Sequence, residues 1–219
     1  MRADWNDPLA VCLSKGRKSK TEYSMNRILE IAETNQQKAF RIIRDLDIVG
    51  AWETIGAEVH LVGSLKMGLL MKHRDIDLHI YSDPVVLRDS FQVMALLAEH
   101  PAVEKMEYLN GLYTEEACVE WHVGYRDDEA QLWQIDMIHI CRGSRYDGYF
   151  ERVAERIKSV LTDETRETIL RLKYEAPEEV KICGMEYYRA VLEGGVRTFT
   201  EFELWRKKYP CTGIIEWMP

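Results

Sequence analysis

The sequence predicts an α+β fold: a mixed, mostly antiparallel sheet of about five strands with flanking helices and a helical C-terminal part. Helical apolar spacing fills residues 25–46 and returns from Tyr149 onward. Between these regions lie five short runs of strand character bounded by turn-forming residues. The last three runs follow one another with Asn110-Gly111 and Asp127-Asp128 at the junctions, the pattern of an antiparallel meander.

In chain order, the polar and basic stretch Ser14–Lys20 reads as a mobile loop. Met25, Ile28, Leu29, Ile31 and Ala32 mark a first helix, and Ala39, Phe40, Ile42, Ile43 and Leu46 a second, with a capping box at Thr34–Gln37 between them. Glu58–Val62 is a strand that stops at Gly63-Ser64, and Leu65–Lys72 has helical composition. Asp75–Tyr81 is the second strand. Asp83-Pro84 supplies an N-cap and a first-turn proline for a helix over Val85–Glu99. The meander strands are Val103–Leu109, Cys118–Tyr125 and Leu132–Cys141. Four helices follow, over Tyr149–Leu161, Asp163–Tyr174, Pro177–Leu192 and Thr198–Tyr209, with Gly194-Gly195 as a stop and a capping box at Thr198–Glu201. The expected division is residues 1–145, sheet with N-terminal helices, and residues 146–219, a helical subdomain.

The chemistry concentrates around residues 63–77. In a strand alternate side chains share a face, so Asp75 and Asp77 point one way while Ile76, Leu78 and Ile80 point into a core. Two adjacent carboxylates repel, and a hard divalent cation such as Mg2+, which takes carboxylate oxygens and leaves room for substrate phosphates, is the natural neutraliser. A strand ending in a glycine-serine turn at a helix start leaves backbone N–H groups free for phosphate. Gly63 permits close approach, Ser64 adds a hydroxyl and Lys66 a point charge. Asp136 stands in the otherwise nearly continuous apolar run Leu132–Ile140, which reads as a strand covered on both faces. A charge there needs a partner: a metal shared with Asp75 and Asp77, or an arginine or backbone N–H groups. His79 extends the aspartate face as a structural histidine, and Glu120 and His122 face away from the core, toward solvent or the cleft.

The run Val62-Gly63-Ser64, a ten-residue spacer Leu65–Arg74, Asp75-Ile76-Asp77 and the later Gln134-Ile135-Asp136-Met137-Ile138 resembles the signature of the nucleotidyltransferase superfamily of the DNA polymerase beta type. The resemblance covers residues 58–140. It departs from small-molecule-modifying members at Leu65, Met67 and Arg74, where they often carry arginine or serine. It implies transfer of a nucleoside monophosphate from a nucleoside triphosphate to a hydroxyl group. It further implies two Mg2+ ions, replaceable by Mn2+, held by Asp75, Asp77 and Asp136, with Gly63, Ser64 and Lys66 binding the nucleotide. The closest style is that of antibiotic nucleotidyltransferases, with Glu178, Glu179, Glu186 and Glu193 walling the site of a cationic small molecule. A protein-modifying enzyme of the toxin–antitoxin type and a catalytically silent nucleotide-binding module are the alternatives.

Composition sets the outer limits. With 46% hydrophobic and 30% charged residues, the 219-residue chain has ordinary globular composition. A formal net charge of −8 argues against nucleic acid as a partner, because that affinity comes largely from phosphate neutralisation by Lys and Arg. Cys12, Cys118, Cys141, Cys183 and Cys211 lack metal or disulfide spacing. The absence of a membrane-length apolar run or a signal-peptide pattern leads to the expectation of a cytoplasmic protein.

Overall fold

The structure, a computed structural model, describes residues 20–211 and 213–219, with side chains from Met25 onward. Of the predicted basic loop only Lys20 falls within them, at the start of helix α1. That helix runs unbroken over Lys20–Asp45. The break expected at Thr34–Gln37 is absent because the segment contains neither glycine nor proline, and Asn35 spends its side-chain amide on the Met71 carbonyl at 2.8 Å instead of capping. The chain turns one residue pair later, where Asp47 adopts a left-handed φ of 45° and α2 (Ile48–Glu53) begins.

Strands β1 (Glu58–Leu61), β2 (Asp75–Ser82), β3 (Val103–Asn110), β4 (Cys118–Arg126) and β5 (Leu132–Cys141) form one sheet in the order β1-β2-β5-β4-β3. The meander β3-β4-β5 is antiparallel as the turn residues predict, and β1 pairs antiparallel with β2. The pair β2-β5 is parallel, which makes the sheet mixed. Between β1 and β2 the expected helix shrinks to one turn, α3 (Gly63–Lys66). Gly68 takes a φ of +70°, and the chain then extends, so that Leu70 enters one hydrophobic core while its neighbours Leu69 and Met71 enter another. A helix could not send consecutive side chains to opposite sides. Helix α4 starts at Leu87, not at Asp83-Pro84, and runs to Ala98.

The first core lies between the sheet and the C-terminal half of α1, with α2 and α4; Trp52, Ile76, Trp133 and Ile135 are fully buried in it. The second gathers Ile28 and Ala32 from the front of α1 with α5 (Tyr149–Val160), α6 (Asp163–Glu175), α7 (Gly184–Leu192) and α8 (Phe199–Lys208). Each large apolar side chain buried this way contributes roughly 1.5–3 kcal/mol. Thr198 and Glu201 form the predicted capping box on α8. Residues 177–183, expected to be helical, instead form an irregular segment that ends at Cys183, the N-cap of α7. Strand β5 is also not covered on both faces: Trp133, Ile135 and Met137 are buried in the core, whereas Gln134 and Asp136 line a cleft. No helix among the described residues is long and apolar enough to cross a membrane.

Candidate active site

A cleft of about 1220 Å³ opens between the sheet face opposite the first core and the helices of the second. Its floor is set by register. In the parallel pair β2-β5, Asp77 lies directly beside Asp136 and Asp75 beside Gln134, and on the far side of β5 His122 of β4 lies beside Asp136. In-register side chains share a face, so Asp75, Asp77 and Asp136 converge on one surface. Gly63 and Ser64 line the same cleft.

The glycine-serine turn does something the sequence reading did not anticipate. A Cβ placed on Gly63, which has a φ of +63°, would lie 1.9 Å from Asp77 Oδ2, and the backbone N–H of Ser64 donates to the Asp77 carboxylate. The turn therefore packs directly against Asp77, with the Ser64 amide favouring its charged form. Gly63→Ala must push Asp77 aside and pay left-handed strain of about 1–2 kcal/mol. The expected result is a melting temperature lowered by several degrees together with weakened nucleotide binding, read by calorimetry.

Electrostatics at the floor are unbalanced. Burial pushes the Asp77 carboxyl up to about 7, and the neighbouring Asp136 and Asp75 carboxylates push in the same direction. Asp75 is raised by burial and then by Asp136. The charge opposing Asp77 is Lys173 of α6, whose ammonium donates to the Leu69 carbonyl at 2.9 Å and the Tyr188 hydroxyl at 3.0 Å, while Asp75 is also opposed by His73 and Lys181. Burial lowers Lys173 to about 8, against the pull of Asp77 and Asp75. Asp136 is held from the side, with His122 Nδ1 at 2.6 Å and Gln134 Nε2 donating to both its oxygens at 2.9 and 3.1 Å. His122 Nε2 reaches Glu120 at 3.3 Å.

Three carboxylates, two of them raised by burial and mutual repulsion, with hard oxygen donors and one lysine, fit a divalent cation in charge and donor type. The aspartates are not drawn as close as the trio Glu116, Cys118 and Glu120, whose ligand atoms all lie within 4.8 Å of one another.

A pH dependence follows. Because the folded-state carboxyl of Asp77 is raised to about 7, the native chain binds more protons than the unfolded one between the ordinary carboxylate range and pH 7. Cation-free stability therefore falls as pH rises through that window and is lowest above it. Asp77→Asn is expected to flatten this dependence and to stabilise the cation-free protein at pH 8 by about 1–3 kcal/mol, measured by denaturant unfolding in chelator.

The sequence-predicted Lys66 does not line the cleft; its ammonium pairs with Glu155 at 3.0 Å. His79 is buried and bonded to Glu151 at 3.0 Å, a structural role tying α5 to the sheet. Of the acidic wall expected from the C-terminal helices, Glu186 is buried against Arg206 at 2.8 Å and Glu193 pairs with Arg189 at 2.7 Å. Glu178, Glu179, Glu186 and Glu203 line the cleft, but Lys181, Arg206 and Lys207 share that wall. The residue missed by the sequence reading is Lys173. Its signal was a lysine four positions after Ile169 and three after Leu170, on the face of α6 that helical spacing assigns to the core.

No protein-family model matches the chain, and no curated protein matches it by sequence. Solved structures do. The non-canonical poly(A) polymerase complex GLD-2–GLD-3 superposes with a TM-score of 0.55 at 11% identity, covering 85% of this chain and 63% of that one. The Cid1 poly(U) polymerase with MgGTP bound gives 0.54 at 17% identity, covering 78% and 55%. A further Cid1 structure, described by its RNA terminal uridylyl transferase activity, gives 0.52 at 16% identity over 78% and 52%. These neighbours belong to the DNA polymerase beta-like nucleotidyltransferase superfamily. The chain has the nucleotidyltransferase fold. Within that fold it spans about half to two thirds of the length of the neighbours it matches. One expectation is overturned: the solved neighbours are polymerases of poly(A) and poly(U), so the argument from net charge against nucleic acid does not stand, and nothing in the neighbours supports the small-molecule hydroxyl acceptor. Net charge is a sum over the whole surface, and gripping the end of a strand needs only a few cations at one cleft.

Proposed function

We propose that the chain is a divalent-cation-dependent nucleotidyltransferase that moves a nucleoside monophosphate from a nucleoside triphosphate to the terminal hydroxyl of an RNA. The observation that carries the transferase reading is the packing of Gly63 and Ser64 against Asp77, directly beside Asp136 on the parallel neighbour strand. The nucleotidyltransferase fold supports it, as does the MgGTP bound to one structural neighbour. For the acceptor, the neighbours' RNA products are one support and the cleft is another. At about 1220 Å³ it exceeds the roughly 300–1,000 Å³ of sites that take one small molecule, which leaves room for a triphosphate and a strand end together.

Asp75, Asp77 and Asp136 would hold Mg2+ or Mn2+, which when bound neutralises the triphosphate and lowers the pKa of the acceptor hydroxyl. The chain's own part is alignment and charge. Lys173, the cation beside Asp77 and Asp75, is placed to donate to a phosphate oxygen while Leu69 and Tyr188 fix its ammonium. Gln134 and His122 fix the orientation of Asp136. Lys181 and Lys207 at the cleft wall offer contacts to a strand's phosphates.

The test is extension of a 5′-labelled single-stranded RNA with each of the four nucleoside triphosphates and Mg2+, resolved on a denaturing gel. Extension by at least one nucleotide is expected, abolished by a 3′-deoxy terminus. Pyrophosphate release with no RNA extended would move the acceptor to another class. Release from no triphosphate at all, with any acceptor, would overturn the transferase reading.

A further inference from the structure

Beyond the aspartate floor, the alternation of strand β4 brings together a second set of donors. Glu116, Cys118 and Glu120 are two residues apart, and their carboxylate and thiol atoms all lie within 4.8 Å of one another. Side chains two apart on an ideal strand start about 6.8 Å from each other, so this convergence is built by the local backbone. Ala117 carries it with a φ of +48° at the entrance to the strand. The Cys118 thiol is 4% exposed and makes no hydrogen bond among the described residues, yet it opens onto a small pocket of about 180 Å³ that adjoins the cleft, with His79, Ile138 and Phe150 lining both. Glu116 and Glu120 line that pocket with it, and its remaining walls are His79 and the mainly apolar Ile138, Ile140, Tyr146, Phe150 and Ile214. The cluster contains two acids and a thiol with no lysine or arginine bonded to any of the three among the described residues; the one polar contact of their side chains among those residues is His122 Nε2 to Glu120 at 3.3 Å.

We propose that Glu116, Cys118 and Glu120 form a binding site for one divalent ion of the zinc class, distinct from the Mg2+ chemistry of the aspartates. The donor set decides the ion class. A thiolate among the ligands disfavours Mg2+, which demands an octahedron of oxygens, and favours Zn2+ or Co2+, which accept one sulfur and two carboxylates and leave a position open to the pocket for water. Burial raises the Cys118 thiol to about 12, with the Glu120 and Glu116 charges adding to it, the field that a bound cation reverses. Loading engages Glu120, the group that otherwise touches His122, so the second site borders the chain of contacts that orients Asp136.

The test uses the full chain stripped with chelator, kept in excess Mg2+, and titrated with Co2+ as a spectroscopic probe and with Zn2+ by calorimetry. One equivalent of Zn2+ is expected to bind. Co2+ is expected to give a thiolate-to-metal charge-transfer band that Zn2+ displaces. Cys118→Ser should remove the band, and Glu116→Gln with Glu120→Gln should weaken Zn2+ binding by at least about tenfold, while Asp77→Asn leaves both signals unchanged. Circular dichroism confirms that each variant is folded; Glu116 and Glu120 are partly exposed, so their isosteric changes keep the test valid if Cys118→Ser does not fold. No stoichiometric Zn2+ binding, a band that survives Cys118→Ser, or binding lost in Asp77→Asn would each overturn the proposal. RNA extension is not a readout here, so failure of this site and failure of the transferase reading are separate results.

Discussion

Asp77→Asn is expected to lower nucleotidyl transfer by about 10²–10³-fold or more, with the chain still folded. The substitution keeps the shape of the side chain and the Ser64 amide contact through its remaining carbonyl oxygen, but it removes the charge at the point where Asp75, Asp77 and Asp136 meet. Because the three act on one cation set, Asp75→Asn combined with Asp77→Asn should be scarcely worse than either alone. His79→Ala, two residues along the same strand, should affect α5 docking and therefore melting temperature far more than transfer, since His79 is turned to Glu151. Single-turnover transfer, measured across Mg2+ concentrations, checks this. Undiminished turnover in Asp77→Asn would place the chemistry elsewhere.

Lys173→Met carries the second large effect. The replacement keeps an unbranched side chain in a buried position but removes the ammonium that faces Asp77 and Asp75. Triphosphate affinity and turnover should both fall, with kcat/KM lower by about 10²-fold. The Tyr188 hydroxyl and the Leu69 carbonyl lose their donor, a further cost of about 1–3 kcal/mol in stability. Lys66→Met is the matched control: its partner is the surface residue Glu155, so transfer should stay within about twofold of the parent. Equal losses in the two variants would remove the special role assigned to Lys173.

Much of this architecture was legible in the sequence because it is written in short-range patterns. Alternation over residues 75–81 gives both the strand and the shared face of Asp75 and Asp77, and the turn dipeptides give the meander. What was not legible is set by packing. Continuity of α1 through Thr34–Gln37 depends on a carbonyl 36 residues away, and the shortening of the helix after Gly63 on two cores that claim alternate residues of one segment. Lys173 was hidden because a lysine on a helix reads as solvated until the helix is docked over carboxylates. The acidic residues of the C-terminal helices were visible, but their arginine partners, Arg189 and Arg206, become partners only through the helix turn and the α7–α8 contact. The net charge failed as a guide to partners for a related reason: it carries no information about position.

Helix α1 belongs to both hydrophobic cores, its front half to one and its back half to the other, and Asn35 near its middle is fastened to Met71 between them. At 26 residues it is about 39 Å long, a strut shared by the two cores. A two-lobed enzyme usually admits substrate by swinging its lobes about a thin connection; here the connection is a continuous rod, and bending it means breaking its hydrogen-bond ladder. The parts of the cleft wall outside any helix are the irregular segment 177–183, which brings Glu178, Glu179 and Lys181 to the cleft, and residues Pro210 and Cys211.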